Sequence, residues 1–324
     1  VNPSTVVDAP PRAVDEAPAG ALLAPEDWRP RAARHAERAD RATAAHRARR
    51  AAGERHAVED FLYEYYPTRP AGLRRWHPGA GVTLAAGPGP DGVPPLADAR
   101  WYRQDADGAV ALDLAAFRAD RGEGVAFVAR LLAATAARPA LLGCFGLHEW
   151  AMVYRDRGAL RHPLPLRLGP EGTDAVVEGQ RLRCTHADAF RFFTPEAVPR
   201  NALRPTRAEQ VALEQPGCLH AGMDLLKWAL KLGPAAPGEL LLDCFDLARD
   251  VRVLDMRASP YDVSSYGLAP VAVETPDGRA EYVRQQRGFA DRAAALRVRL
   301  LAVCARVLPD EVPGPGTATA PPGA

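Results

Sequence analysis

The chain has 324 residues with 41 basic and 40 acidic side chains, so its net charge is +1. A balance so close to neutral leaves no whole-chain field of the kind that draws a protein to nucleic acid or an acidic membrane. Five cysteines, an odd and widely spaced set without a CxxC, argue against a secreted disulfide scaffold and for a reducing compartment. No apolar run reaches the length of a membrane span and no signal-like segment opens the chain, so the expected location is cytoplasmic, with no membrane partner.

In chain order, residues 1–24 are rich in Pro, Ala and Asp and read as a disordered tail, as do residues 309–324. Residues 25–56 are rich in Ala and Arg, both strong helix formers, and read as a basic helical arm. Such a charge run is either a phosphate-contacting surface or a solvated helix face. Residues 57–308 then form a single globular domain. Val58, Phe61, Leu62 and Tyr65 fall at helical spacing before Pro67. A short strand is expected at Val82–Leu84. Trp101–Arg103 and Ala109–Leu112 flank Asp107–Gly108, a hairpin signal, and Phe117 to Ala137 reads as helix.

Beyond Cys144, a helix is expected to carry His148, Glu149, Trp150 and Tyr154. A second hairpin is expected where Ala175–Val177 and Arg181–Cys184 flank Glu178–Gly179. Cys218 to Leu232 is a helix stopped by Gly233–Pro234. Glu239 to Asp255 is another, with Leu240, Cys244, Leu247, Val251 and Leu254 on one face. Val271–Glu274 could form a last strand, and Arg279 to Val307 a final amphipathic helix. The expected fold class is α+β, helix-dominated, with one or two small antiparallel hairpins around a single core.

Three Cys–His pairs stand out: Cys144 with His148, Cys184 with His186, and Cys218 with His220. Cys and neutral His are ligands that zinc prefers, although the spacings match no standard zinc motif. Asp224 follows His220 by four residues and shares its helix face. His148, His186, His220 and Asp224 are therefore the candidate ligands of a divalent metal, set against the plainer reading of buried thiols near histidines. No other cofactor is expected. Asp243, Asp246 and Asp250 form one stripe of one helix, read as a solvated acidic face. Asp255, Arg257, Ser259, Tyr261 and Asp262 cluster where that helix ends, either as a site-lining loop or as turn chemistry.

The stretches CFGLHEWAMVYR (144–155), LPLRLGPEGTDAVVE (164–178), RCTHADAFRFFT (183–194), QPGCLHAGMDLLKWALKL (215–232) and DCFDLARDVRVLDMRASPYD (243–262) resemble a family of actinobacterial proteins labelled 3-methyladenine DNA glycosylase. The resemblance runs from about His46 to Leu300. It implies a base-excision DNA-repair enzyme, a hydrolase of N-glycosyl bonds that releases alkylated purines, with DNA as partner. Such chemistry flips a nucleotide, stacks its base and stabilises a cationic sugar with a carboxylate. The residues offered for it are Glu149, Asp224, His220 and His148 as catalytic groups. Trp150, Tyr154, His186, Arg257, Tyr261 and Asp255 are offered as substrate-binding groups. Two other readings stand beside it: a metal-assisted enzyme acting on a small molecule through a His/Cys/Asp site, and a non-catalytic nucleic-acid-binding module built on the basic segment.

Overall fold

A computed structural model of the chain describes residues 16–66, 68–89, 92–156, 158 and 162–310. Among them are four short strands, β1 (Leu22–Leu23), β2 (Thr83–Leu84), β3 (Tyr102–Gln104) and β4 (Val110–Leu112). The helices of the first half are α1 (Pro25–Ala52), α2 (Phe61–Glu64), α3 (Pro70–Arg74), α4 (Leu114–Ala136) and α5 (Leu147–Ala151). The second half holds α6 (Gly169–Glu178), α7 (Ala187–Phe190), α8 (Gln210–Leu213), α9 (Leu219–Leu232), α10 (Gly238–Ala258) and α11 (Pro276–Val307). This is a helix-dominated α+β fold built around one main core, with smaller apolar clusters at its margins.

The core is a helical stack. α9 packs most extensively against α10, and α11 lies across α4, α9 and α10. The apolar spacing of α10 explains its place, since Leu240, Cys244, Leu247, Val251 and Leu254 are all buried. Local chemistry fixes the helix ends. The Asp113 side chain accepts from the amides of Ala115 and Ala116 at the start of α4, and Thr275 does the same for Gly278 at the start of α11. The Gly233–Pro234 step stops α9.

The sheet has the order β1-β2-β4-β3, with β1 parallel to β2 and the other pairs antiparallel. The hairpin expected at Asp107–Gly108 is β3–β4, and the strand expected near Val82 is β2. Three expectations change. Residues 16–24 are not a loose tail, because β1 pairs with β2 and Ala17 is buried; residues 1–15 and 311–324 lie outside the described residues. The second hairpin does not form. Residues 169–178 are helical, with Pro170 in the first turn and Thr173, Asp174 and Val177 buried at helical spacing, so Glu178–Gly179 ends a helix. Val271–Glu274 is an irregular segment held by Val271 N donating to Arg257 O at 2.8 Å.

The basic helix α1 is docked on the body. Trp28, His35, Ala39, Thr43 and His46 are buried along one face, and α1 packs on α3 and α10. Arg38 reaches both Asp243 and Asp246 at 2.7 Å, and Arg299 of α11 reaches Asp243 at 2.7 Å. Arg292 pairs with Asp250 at 2.8 Å. The acidic stripe of α10, expected as a solvated face, is thus a seam to which α1 and α11 are clipped.

Candidate functional site

The Cys144–Arg155 segment folds so as to push one short helix into the core. Phe145 and Gly146 both adopt positive φ, at 50° and 73°, and Arg155 follows at 55° on the far side. The turn is tight: a Cβ on Gly146 would lie 3.3 Å from both the Ala258 methyl and the Tyr282 ring. α5, held between these bends, is buried throughout and carries His148 and Glu149 inward. For a bulky residue such as Phe145, a left-handed conformation is strained, and such strain gathers where a side chain must be aimed.

Three helices contribute to the centre. His148 from α5 places Nε2 2.8 Å from Asp255 Oδ1 of α10. The His220 ring from α9 meets His148 edge-on, with centroids 4.4 Å apart. One ligand atom each from His148, His220 and Asp255 lies within 4.8 Å of the other two. His148 and Asp255 are fully buried, whereas His220 keeps some surface while its Nδ1 is enclosed without a hydrogen-bonding partner. On the other oxygen of Asp255 sits Arg252 Nη1, 2.9 Å away, which also donates to Glu149 Oε1 at 3.2 Å. Arg252 Nη2 lies 3.2 Å from His162 Nε2, and its guanidinium stacks 4.1 Å from the Phe61 ring.

A second polar group adjoins the first. The His186 ring stacks on His220 with centroids 5.2 Å apart, and its Nε2 lies 3.5 Å from Asp224 Oδ2 and 3.9 Å from Glu214 Oε2. Asp224 accepts from Tyr66 Oη at 2.9 Å and from Lys227 Nζ at 3.1 Å. Lys227 continues to Asp188 at 2.9 Å. The two groups meet through the histidines, in the order Asp255–His148–His220–His186–Asp224.

Electrostatics divide the histidines. Burial would lower His148, but the Asp255 charge and hydrogen bond outweigh it and hold the imidazole well above its ordinary value. Burial also opposes protonation of His186, and Asp224 and Glu214 overcome it. His220 goes the other way: burial, reinforced by the adjacent cationic His148, drives it well below the ordinary value and keeps it neutral. Burial would raise Asp255 and Asp224, yet their cationic partners hold both carboxyls below the usual range. At Glu214 burial outweighs His186, the Gln210 hydrogen bond and Lys227, and raises the carboxyl.

The residues singled out from sequence separate into two sets. His148, Glu149, His186, His220, Asp224 and Asp255 come together. Asp255, offered there as a substrate contact, takes the place beside His148 and His220 that Asp224 was expected to fill, and His186 stands behind His220. Trp150 and Tyr154 are core residues, not exposed stacking faces. Trp150 Nε1 donates to Ala258 O at 2.8 Å, and Tyr154 Oη to Glu178 Oε1 at 2.9 Å. Arg257 Nε donates to Ala269 O at 2.8 Å and supports a loop instead of the centre. Tyr261 is buried in a small cluster with Val58 and Met256, edge-on to His162. Of the Cys–His pairs, only Cys144 touches its histidine ring, with Sγ 3.6 Å from His148 Nδ1; the Cys184 thiol is directed to the carbonyl of His186. Arg252, Lys227, Tyr66 and Glu214 belong to the site and carry no local motif. A buried Arg at i−3 from Asp255 and a Lys at i+3 from Asp224 are the helical spacings that would have found two of them.

No protein-family model, no curated protein and no solved structure matches the chain. No helix of the described residues is long and apolar enough to cross a membrane.

Proposed function

We propose that the chain is a metal-assisted enzyme acting on a small polar molecule, with His148, His220 and Asp255 as the ligands of one divalent cation. The observation that carries this reading is the convergence of three ligand atoms, from three separate helices, within 4.8 Å. Tetrahedral ligand bonds of about 2.0–2.2 Å put donor atoms roughly 3.3–3.6 Å apart. His148 Nε2 and Asp255 Oδ1, hydrogen-bonded at 2.8 Å, would separate by roughly 0.6 Å to share a cation once the His148 proton leaves. Three protein ligands leave a coordination position for water or substrate, and a bound cation would make that water more acidic. Arg252 on the second Asp255 oxygen is the outer partner that orients a ligating carboxylate. The His186–Asp224 pair beside His220 is placed to exchange a proton with a group bound there. The test is zinc uptake by the chelator-treated full chain, followed by gel filtration and elemental analysis. Wild type is expected to retain one zinc, and His220→Ala to lose at least tenfold in affinity. Zinc-free wild type after exposure to excess metal at pH 7–8 sinks the reading.

A second reading, release of alkylated purines from DNA, rests on the family resemblance and on Asp224, a buried carboxylate held ionised, as a partner for a cationic sugar. The burial of Trp150 and Tyr154 takes away its two stacking residues. Its test is release of 3-methyladenine from methylated DNA, assayed beside a glycosylase of known activity. Release that persists in Asp224→Asn would remove the role given to that residue.

A further inference from the structure

The second polar group leads outward to an unusual concentration of positive charge. Asp188 is approached by three cations: Lys227 at 2.9 Å, Arg191 at 3.7 Å and Arg207 at 3.9 Å. Lys227 and Lys231, one helical turn apart on α9, both stand over the Trp228 ring, 4.9 and 6.0 Å from its centroid. Arg121 of α4 donates to the Lys231 carbonyl at 3.0 Å and closes the cluster. Five cations thus gather in one cluster, three of them on the carboxylate of Asp188, with buried Asp224 behind it. Lys231 feels the surplus: burial, then Lys227, Arg207 and Arg121, all depress it. The Trp228 indole, 1% exposed beneath the two lysines, has an enclosed Nε1 without an acceptor.

The arrangement differs from that of the Arg-rich helix α1. There Arg38 faces two acids, Asp243 and Asp246, and Arg49 faces Glu59 and Asp60. Those cations are matched, whereas the cluster around Asp188 is not. It is also compact, gathered on one carboxylate and one indole. That shape suits a single tetrahedral oxyanion better than the spaced charges of a nucleic-acid backbone, which call for an extended track. The contacts run inward from it without a break, through Lys227 to Asp224, His186 and His220.

We propose that this cationic rim receives a phosphate group of the substrate, so that the molecule processed at the His148–His220–Asp255 centre is a small phosphorylated compound. This rests on the reading of that centre as the working site. The probe is inorganic phosphate, titrated calorimetrically into the metal-free full chain at fixed ionic strength. Wild type is expected to bind it, with roughly tenfold or greater weakening in Arg207→Glu and in Lys231→Glu. Both side chains are exposed and lie outside the centre. Arg41→Glu, an exposed charge on α1, is the control and is expected to bind as wild type. The proposal is overturned if wild type does not bind phosphate, if both rim variants bind it unchanged, or if Arg41→Glu weakens it equally. A single-stranded oligonucleotide that binds where phosphate does not overturns it in favour of a nucleic-acid partner. Zinc content measured on separate aliquots keeps the two readings apart. A chain that takes up zinc but ignores phosphate loses only this proposal, and one that binds phosphate but no zinc keeps the rim as a phosphate site but loses the metal centre on which the substrate assignment rests.

Discussion

At Gly146 the backbone turns through φ 73° with the Ala258 methyl and the Tyr282 ring pressed against the space where a Cβ would stand. Alanine there meets both a disfavoured conformation and a close contact. Gly146→Ala is expected to lower stability by about 1–2 kcal/mol, read from urea midpoints. Because this turn aims His148, the same variant is expected to weaken zinc binding without touching a ligand. The residues that carry chemistry were visible in sequence to an uneven degree. His148, His186, His220 and Asp224 stand out because histidines are few and sit beside cysteines or at helical spacing. Asp255 stood out only as part of a polar loop, because its partner His148 lies 107 residues away. Trp150 and Tyr154, buried in the core, are ambiguous in sequence for a related reason: an aromatic ring next to polar residues looks the same whether it walls a pocket or fills a core.

Among the elements, α10 is the one to which two others are tied by ion pairs. Asp243 is nearly buried and accepts from Arg38 and Arg299 at 2.7 Å each, joining α1 and α11 to α10. Asp243→Ala removes that shared acceptor, while Arg38 keeps Asp246 and Arg299 keeps Glu16, and is expected to cost about 1.5–2 kcal/mol. Arg38→Ala is expected to cost less, about 1 kcal/mol, because Arg299 still satisfies Asp243. Urea unfolding of both variants checks the order. The long helices α4, α9, α10 and α11 were legible because their apolar residues recur at helical spacing over many turns. In sequence α6 reads as half of a hairpin because Ala175–Val177 is short and carries two β-branched valines, Val176 and Val177. Its helical character depends on Pro170 upstream and on the burial of Thr173 and Asp174. β1 was not legible at all, since two residues paired with a strand some 60 positions later leave no periodic trace.

For the molecule as a whole, the buried charges set a window of pH. Asp224 and Asp255 are held below the usual carboxylate value in the folded chain, so their contribution is present above about pH 4 and is lost as pH falls through the folded values. His148 is held above its ordinary value, so its contribution is complete below about pH 6.5 and is lost as pH rises through the folded value. His220, held well below its ordinary value, works the other way and loses its contribution as pH falls below about 6.5, so the metal-free protein is expected to be most stable near pH 6.5, with urea midpoints falling on either side. Asp224→Asn is expected to flatten the acid limb. Zinc must displace the proton of His148, so its affinity is expected to rise with pH across the range where apo stability declines.

His148 and Asp255 close a loop of more than a hundred residues, while α9 and α10 are neighbours in sequence that pack against each other directly. Contacts of low sequence separation form quickly, and the α9–α10 pair is the natural early structure of this chain. His220 and Asp255 both lie on that early pair, so two of the three ligands are brought close before the third arrives. The last step is the arrival of α5, whose His148 must be delivered through the bend at Phe145–Gly146. Zinc capture during refolding is thus a clock for the completion of the chain: it should lag the recovery of helical signal, and slow further in Gly146→Ala.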